Sequence, residues 1–118
     1  MSKTVSLHPY FRVQEGKMDE FKAILPRFVE KTSSEEACLY YDFTICGDTV
    51  FCREAYVGAA GILAHLGNVD ELLEEALEIS ELFRLEVHGP AEELEKLKEP
   101  LSELNVEPFV YECGLGRS

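Results

Sequence analysis

ACLYYDFTICGDTVFCREAYV, Ala37 to Val57, reads as two strands folded back on each other. Residues 37–46 and 49–57 alternate and are rich in aromatic and β-branched side chains, and Gly47-Asp48 stands between them. Glycine first in a two-residue loop suits a type II′ turn, whose twist matches that of the flanking strands. Such a loop sets the register. Ile45 faces Val50, Phe43 faces Cys52, Tyr41 faces Glu54 and Leu39 faces Tyr56, with Thr44–Phe51 and Asp42–Arg53 on the other side. An Asp opposite an Arg is a favourable exposed pair. Glu54 therefore falls on the apolar face, with Leu39, Phe43, Ile45 and Val50.

Upstream, TVSLHPYFRV (Thr4 to Val13) alternates again, with Val5, Leu7, Phe11 and Val13 on one face and Ser6, His8, Tyr10 and Arg12 on the other. Pro9 has no N–H for a ladder, so a bulge or an unpaired position is expected there. After Gly16, residues 17–31 carry Met18, Phe21, Leu25, Phe28 and Val29 at helical spacing, with Pro26 predicted to kink the helix. Downstream of the hairpin, residues 59–66 read as a short helix ended by Gly67. Asn68 with Glu71 resembles a capping box and opens a helix to about Glu81, with Leu72, Leu73, Ala76, Leu77 and Ile79 inward. Residues 82–88 alternate, Phe83, Leu85 and Val87 against Arg84, Glu86 and His88. Pro90 suits the first turn of a further helix whose dipole Glu92 and Glu93 complement. Leu94, Leu97, Leu101 and Leu104 form its stripe, interrupted by Pro100, and residues 106–113 read as a last strand.

The order β-α-β, β-α-α-β, α-β predicts an α+β fold, a ferredoxin-like sandwich with an antiparallel sheet, in one domain over residues 1–118. Helices would cover one sheet face. The other carries Phe51, Tyr40 and Tyr10 and needs a cover, so a second copy's sheet is expected against it, making a homodimer.

Composition narrows the function. The 118 residues carry a net charge of −12 and no Lys/Arg cluster, which argues against nucleic acid as a partner. The acidity gathers in stretches such as Asp70 to Glu81, the pattern of a solvated helix face. The uncharged run near Tyr56 to Asn68 is too short to span a membrane, and Met1-Ser2-Lys3 leads straight into a strand, so a cytoplasmic protein is expected. Cys38, Cys46, Cys52 and Cys113 form no CxxC pair and are expected as reduced, buried thiols. No HxH or HxxxH spacing occurs, so no metal site is expected, and His8 and His88 read as surface or interface residues.

The candidate site lies in CREAYVGAAGILAHL, Cys52 to Leu66. Glu54 on an apolar face is costly unless paired, with Tyr41 across from it and Tyr56 two residues along as available donors. Burial would raise its pKa and a phenol donor would lower it. His65 follows Ile62 by one helical turn and shares the stripe of Ile62, Leu66 and Val69, so it points between helix and sheet. A carboxylate, an imidazole and phenols around an apolar space suit proton abstraction from a phenol or an enolisable ketone. The alternative is a core histidine bonded to a backbone carbonyl.

The element order, EGKMDEF (Glu15 to Phe21), EEACLYYDF (Glu35 to Phe43) and REAYVGAAGILAHL (Arg53 to Leu66) resemble the antibiotic biosynthesis monooxygenase-like family over roughly residues 4–113. The match is most specific at Glu54, Tyr56 and Ala64-His65. The resemblance implies a dimeric α/β-barrel built from ferredoxin-like halves. That family includes cofactor-independent oxygenases of quinols and polyketide phenols, haem-degrading enzymes and an isomerase-like branch. The haem-degrading branch uses a Trp and a first-strand Asn, whereas this chain has no Trp and Pro9 falls near the Asn position. Tyr56 stands where the family often has Trp.

The resemblance thus implies a cofactor-independent monooxygenase of a quinol or other small phenol. His65 and Glu54 would be catalytic, Phe21, Tyr41, Phe43 and Tyr56 would line the pocket, and no cofactor is implied. A non-catalytic small-molecule-binding dimer and an isomerase-type acid–base enzyme are the alternatives.

Overall fold

The computed structural model of the chain describes residues 2–116. The elements follow the predicted order: β1 (Thr4–Val13), α1 (Met18–Thr32), β2 (Cys38–Cys46), β3 (Thr49–Val57), α2 (Gly58–Asn68), α3 (Asp70–Leu77), β4 (Ser80–Gly89), α4 (Ala91–Lys98) and β5 (Val106–Val110). The strands form a five-stranded sheet in the order β2-β3-β1-β4-β5. The run β2-β3-β1-β4 is antiparallel and ferredoxin-like. β5 departs from the antiparallel expectation. It lies parallel to β4, because α4 carries the chain back to the same end of the sheet before β5 begins.

The hairpin register holds along most of its length, with Ile45 opposite Val50, Phe43 opposite Cys52, Tyr41 opposite Glu54 and Asp42 opposite Arg53. Gly47 has φ +61° and no other residue of the turn has positive φ, as a II′ turn requires. The predicted Leu39–Tyr56 pair does not form. A bulge between Cys38 and Tyr40 sets Cys38 opposite Tyr56 and turns Leu39 out to solvent. A second bulge lies in the pairing of β1 with β4, between Tyr10 and Phe11; Pro9 itself faces Leu85 on β4 and has no register partner on β3. Leu82 faces Phe11 and Arg84 faces Tyr10, so Phe83 is the extra residue and points outward rather than inward as its alternation suggests. Its ring lies 6.1 Å from that of Tyr10, with the Arg12 guanidinium 4.1 Å above it.

α1 runs unbroken through Pro26 and buries Phe21, Ile24, Phe28 and Thr32, while Val29 is exposed. α2 continues past Gly67 to Asn68 without a left-handed glycine cap. α3 closes at Leu77, well short of Glu81, because Ser80 and Glu81 already pair with Val13 and Arg12 in the sheet. Leu77 and Leu104, expected inward, are each 40% exposed: Leu77 is the last residue of α3, and Leu104 lies six residues past the end of α4. Cys46 and Cys113 are exposed, not buried, and all four thiols are free. Among the described residues, no helix is long and apolar enough to cross a membrane.

The helices cover one face of the sheet over two apolar clusters. One gathers Val5, Tyr56, Ile62 and Leu97 beneath α2 and α4. The other gathers Phe11, Phe21, Phe28, Val50 and Leu72 beneath α1 and α3, and Leu82 packs against both. Each such buried side chain contributes about 1.5–3 kcal/mol. The outer face carries His8, Tyr10, Phe51, Phe83 and His88, and among the described residues the helices all lie on the other side.

Candidate functional site

Glu54 sits on β3, between Leu7 of β1 and Tyr41 of β2, and the residue is 2% exposed. Tyr56 lies two residues along on the same strand face, and its hydroxyl donates to Glu54 Oε1 at 2.5 Å. Burial pushes the Glu54 carboxyl up to about 7, and the hydrogen bonds from the Tyr56 hydroxyl and the Cys52 thiol hold it from rising further. Burial also raises Tyr56 and Tyr41, so both phenols stay protonated.

His65, also 2% exposed, comes down from α2 onto the same place. Its Nε2 lies 3.4 Å from Glu54 Oε1, and its Nδ1 lies 2.9 Å from Glu35 Oε2 and 3.1 Å from Glu35 Oε1. Its partner is thus a carboxylate, not the backbone carbonyl of the structural alternative. The Nδ1–H donates to Glu35, which leaves the Nε2 lone pair turned toward Glu54. Burial lowers the imidazole pKa, and Glu35 acts against that.

Glu35 opens the EEACLYYDF stretch, but nothing in its spacing assigns it a role. It lies in the turn between α1 and β2, tied by its N–H to Thr32 O at 2.9 Å. Asn68, read from the sequence as a helix cap, instead donates from Nδ2 to Glu35 Oε2 at 2.8 Å and to Lys31 O at 2.9 Å.

Two further residues bring α2 close enough. Gly61 admits the helix against β3, for a Cβ there would lie 2.9 Å from Tyr56 Cβ and 3.1 Å from Ala37 Cβ. Glu93 of α4, expected to complement the dipole of its own helix, is buried and accepts the Ala59 N–H at the first turn of α2 at 2.8 Å, with Lys96 Nζ on its other oxygen.

Glu54 and His65 border a cavity of about 80 Å³ between the two apolar clusters. Phe21, Tyr41 and Phe43 line it as expected, and Cys52 adds the remaining polar atom. Tyr56 does not reach it, lying behind Glu54 in the packed core. Among the described residues no Lys or Arg lines the cavity, and its wall includes the exposed Leu77 and Leu104, where it opens to the surface.

On the opposite sheet face, one ligand atom each of His8, Glu86 and His88 fall within 4.8 Å of one another. No local spacing motif announces this convergence, because β1 and β4 make it by pairing His8 with Glu86.

No protein-family model and no curated protein matches the chain. Solved structures do. MupZ from Pseudomonas fluorescens is 43% identical, with 98% of this chain and 96% of that chain covered and a TM-score of 0.95. A Chloroflexus aurantiacus protein, assigned provisionally by its name to the antibiotic biosynthesis monooxygenases, is 22% identical over 75% of this chain and 93% of its own, with a TM-score of 0.62. The chain belongs to the same family as MupZ, and it shares its fold with proteins provisionally named antibiotic biosynthesis monooxygenases. A Bacteroides thetaiotaomicron protein described as a possible oxidoreductase shares the fold of this family at 20% identity, over 74% of this chain and 97% of its own, with a TM-score of 0.66.

Proposed function

We propose that this chain is an acid–base enzyme that moves a proton on a small, neutral, apolar substrate, with His65 as base and Glu54, backed by Tyr56, as its proton-carrying partner. The 3.4 Å approach of His65 Nε2 to Glu54 Oε1 beside an apolar cavity carries this reading. Burial raises Glu54 to about 7 and lowers His65, which keeps the carboxyl able to carry a proton and the imidazole neutral as a base. With no cation on the wall, an anionic substrate would gain no partner there. The cavity of about 80 Å³ is smaller than the roughly 150 Å³ that holds a benzene ring, so a ring seats only when leucines at the mouth turn aside.

Within this family a quinol or other phenol is the substrate we favour. Loss of its proton to His65 leaves an electron-rich anion that can pass electrons to dioxygen, with Phe21, Tyr41 and Phe43 as its walls. A second reading keeps the pair and omits dioxygen, as in an isomerase. It is supported by the presence of an acid as well as a base, since forming the anion needs only the base.

Oxygen uptake with a hydroquinone tests the first reading. His65→Ala is expected to lose about 10²–10⁴-fold in turnover with its circular dichroism unchanged. Unchanged uptake in that variant removes His65 from the mechanism. Substrate conversion that persists without oxygen selects the second reading. Ligand-dependent thermal stabilisation with no substrate consumed makes the protein a binder.

The reading takes the chain as a homodimer, with the part of the outer sheet face around Tyr10, Tyr40 and Phe51 as the contact. Its support is the aromatic character of that face, where the half-buried rings of Tyr10 and Phe51 lie 4.7 Å apart and tilted by 39°.

A further inference from the structure

We propose that His8, Glu86 and His88 form a binding site for a divalent metal ion of zinc-like softness, on the sheet face away from the cavity. The three ligand atoms lie within 4.8 Å of one another, close enough to share one ion after small rotations. They stand on a rigid frame. His8 and Glu86 are direct cross-strand partners on β1 and β4, and His88 follows Glu86 by two residues on the same face.

The surroundings hold the donors in place. His88 stacks on Phe109 with ring centroids 4.5 Å apart and planes 11° from parallel, and His8 lies 5.9 Å from Phe51. Arg84 Nε donates to Glu86 Oε2, and its NH2 nitrogen reaches Glu107 at 3.2 Å. The guanidinium is thereby held to one side and leaves Glu86 Oε1, now bonded to His88 Nε2 at 2.9 Å, for an ion. Ser6 Oγ bonds His8 Nε2 at 2.8 Å and completes the polar ring around the centre.

The two imidazoles approach to 4.4 Å between centroids, an arrangement that a dication bridges and that two protons would oppose. Two imidazoles and one carboxylate are a donor set for Zn²⁺ and its neighbours in the transition series, with a further position left for water. The net charge of −12 favours cation binding in general, and these imidazoles give the site its selectivity over calcium or magnesium.

The test adds Zn²⁺ alone to chelator-treated full-length protein whose exposed thiols, Cys46 and Cys113, are alkylated beforehand. One ion per chain is expected, with a loss of at least about a hundredfold in affinity in His8→Ala and in His88→Ala. The chain has three histidines, so imidazole NMR of the unmutated protein gives an independent readout. His8 and His88 should shift together on titration while His65 stays fixed, and any other pattern overturns the proposal. Equal Zn²⁺ binding by the unmutated protein and the double variant overturns it as well. Co²⁺ in place of Zn²⁺ should give visible bands that both single variants lose.

Discussion

Glu35 holds His65 by the nitrogen that faces away from the cavity: Nδ1 lies 2.9 Å from Glu35 Oε2, and Glu35 does not line the cavity wall. The carboxylate therefore orients the imidazole and keeps its proton on Nδ1. Glu35→Gln retains a hydrogen-bond partner but removes the charge that raises the His65 pKa. If neutral His65 is the base, the acid limb of the pH–rate profile should move to lower pH, while kcat falls because the base is weaker. A profile that does not move would mean that Glu35 serves the fold alone.

Glu54 makes stability depend on pH in the sense opposite to an ordinary ion-paired carboxylate. Its pKa rises from 4.5 to about 7 on folding. Between those values the folded chain keeps a proton that the unfolded chain has released, so stability is lost as pH climbs through this window. The loss is about 3 kcal/mol once the window has been crossed. Glu54→Gln has no such proton to lose. Urea unfolding at pH 5 and pH 8 should show the variant gaining on the unmutated protein at the higher pH. Parallel curves would place Glu54 in contact with water.

Gly61 and Gly67 share α2 but meet different surroundings. A Cβ at Gly61 collides with Tyr56 and Ala37, whereas one at Gly67 meets nothing within 4 Å. Gly61→Ala should cost about 1–3 kcal/mol and lower activity by lifting His65 away from Glu54. Gly67→Ala should be neutral or stabilising by up to about 1 kcal/mol, because its helical backbone suits alanine better. Thermal melts of the two variants, read side by side, check this.

The outer face carries the oligomer prediction. Light scattering at micromolar concentration should return twice the chain mass, and Phe83→Asp, which places a charge beside Tyr10, should return the chain mass alone. A monomeric unmutated protein would refute the face-to-face arrangement.

Much of this architecture was legible where geometry is local. Glycine at the first position of a two-residue loop dictated the hairpin pairing, and with it the place of Glu54 opposite Tyr41. The bulges were not legible, because an inserted residue leaves the hydrophobic alternation looking intact. Phe83 and Leu39 were assigned the wrong face for that reason. His65 was placed correctly by its helical stripe, but its partner lies 30 residues away in a turn, where periodicity says nothing. Gly67 misled because glycine ends a helix only where the backbone turns left-handed, and here it does not. The His8–Glu86–His88 cluster needed the strand register of β1 and β4, which no spacing within either strand supplies.

The two borders of the sheet bear on how the protein behaves when concentrated. β2 forms one border and breaks its ladder at the Cys38–Tyr40 bulge, and β5 forms the other and carries Pro108, which lacks an N–H. Irregular or donor-poor margins are poor templates for an added strand. Lateral accretion into fibrils is thereby blunted at both ends.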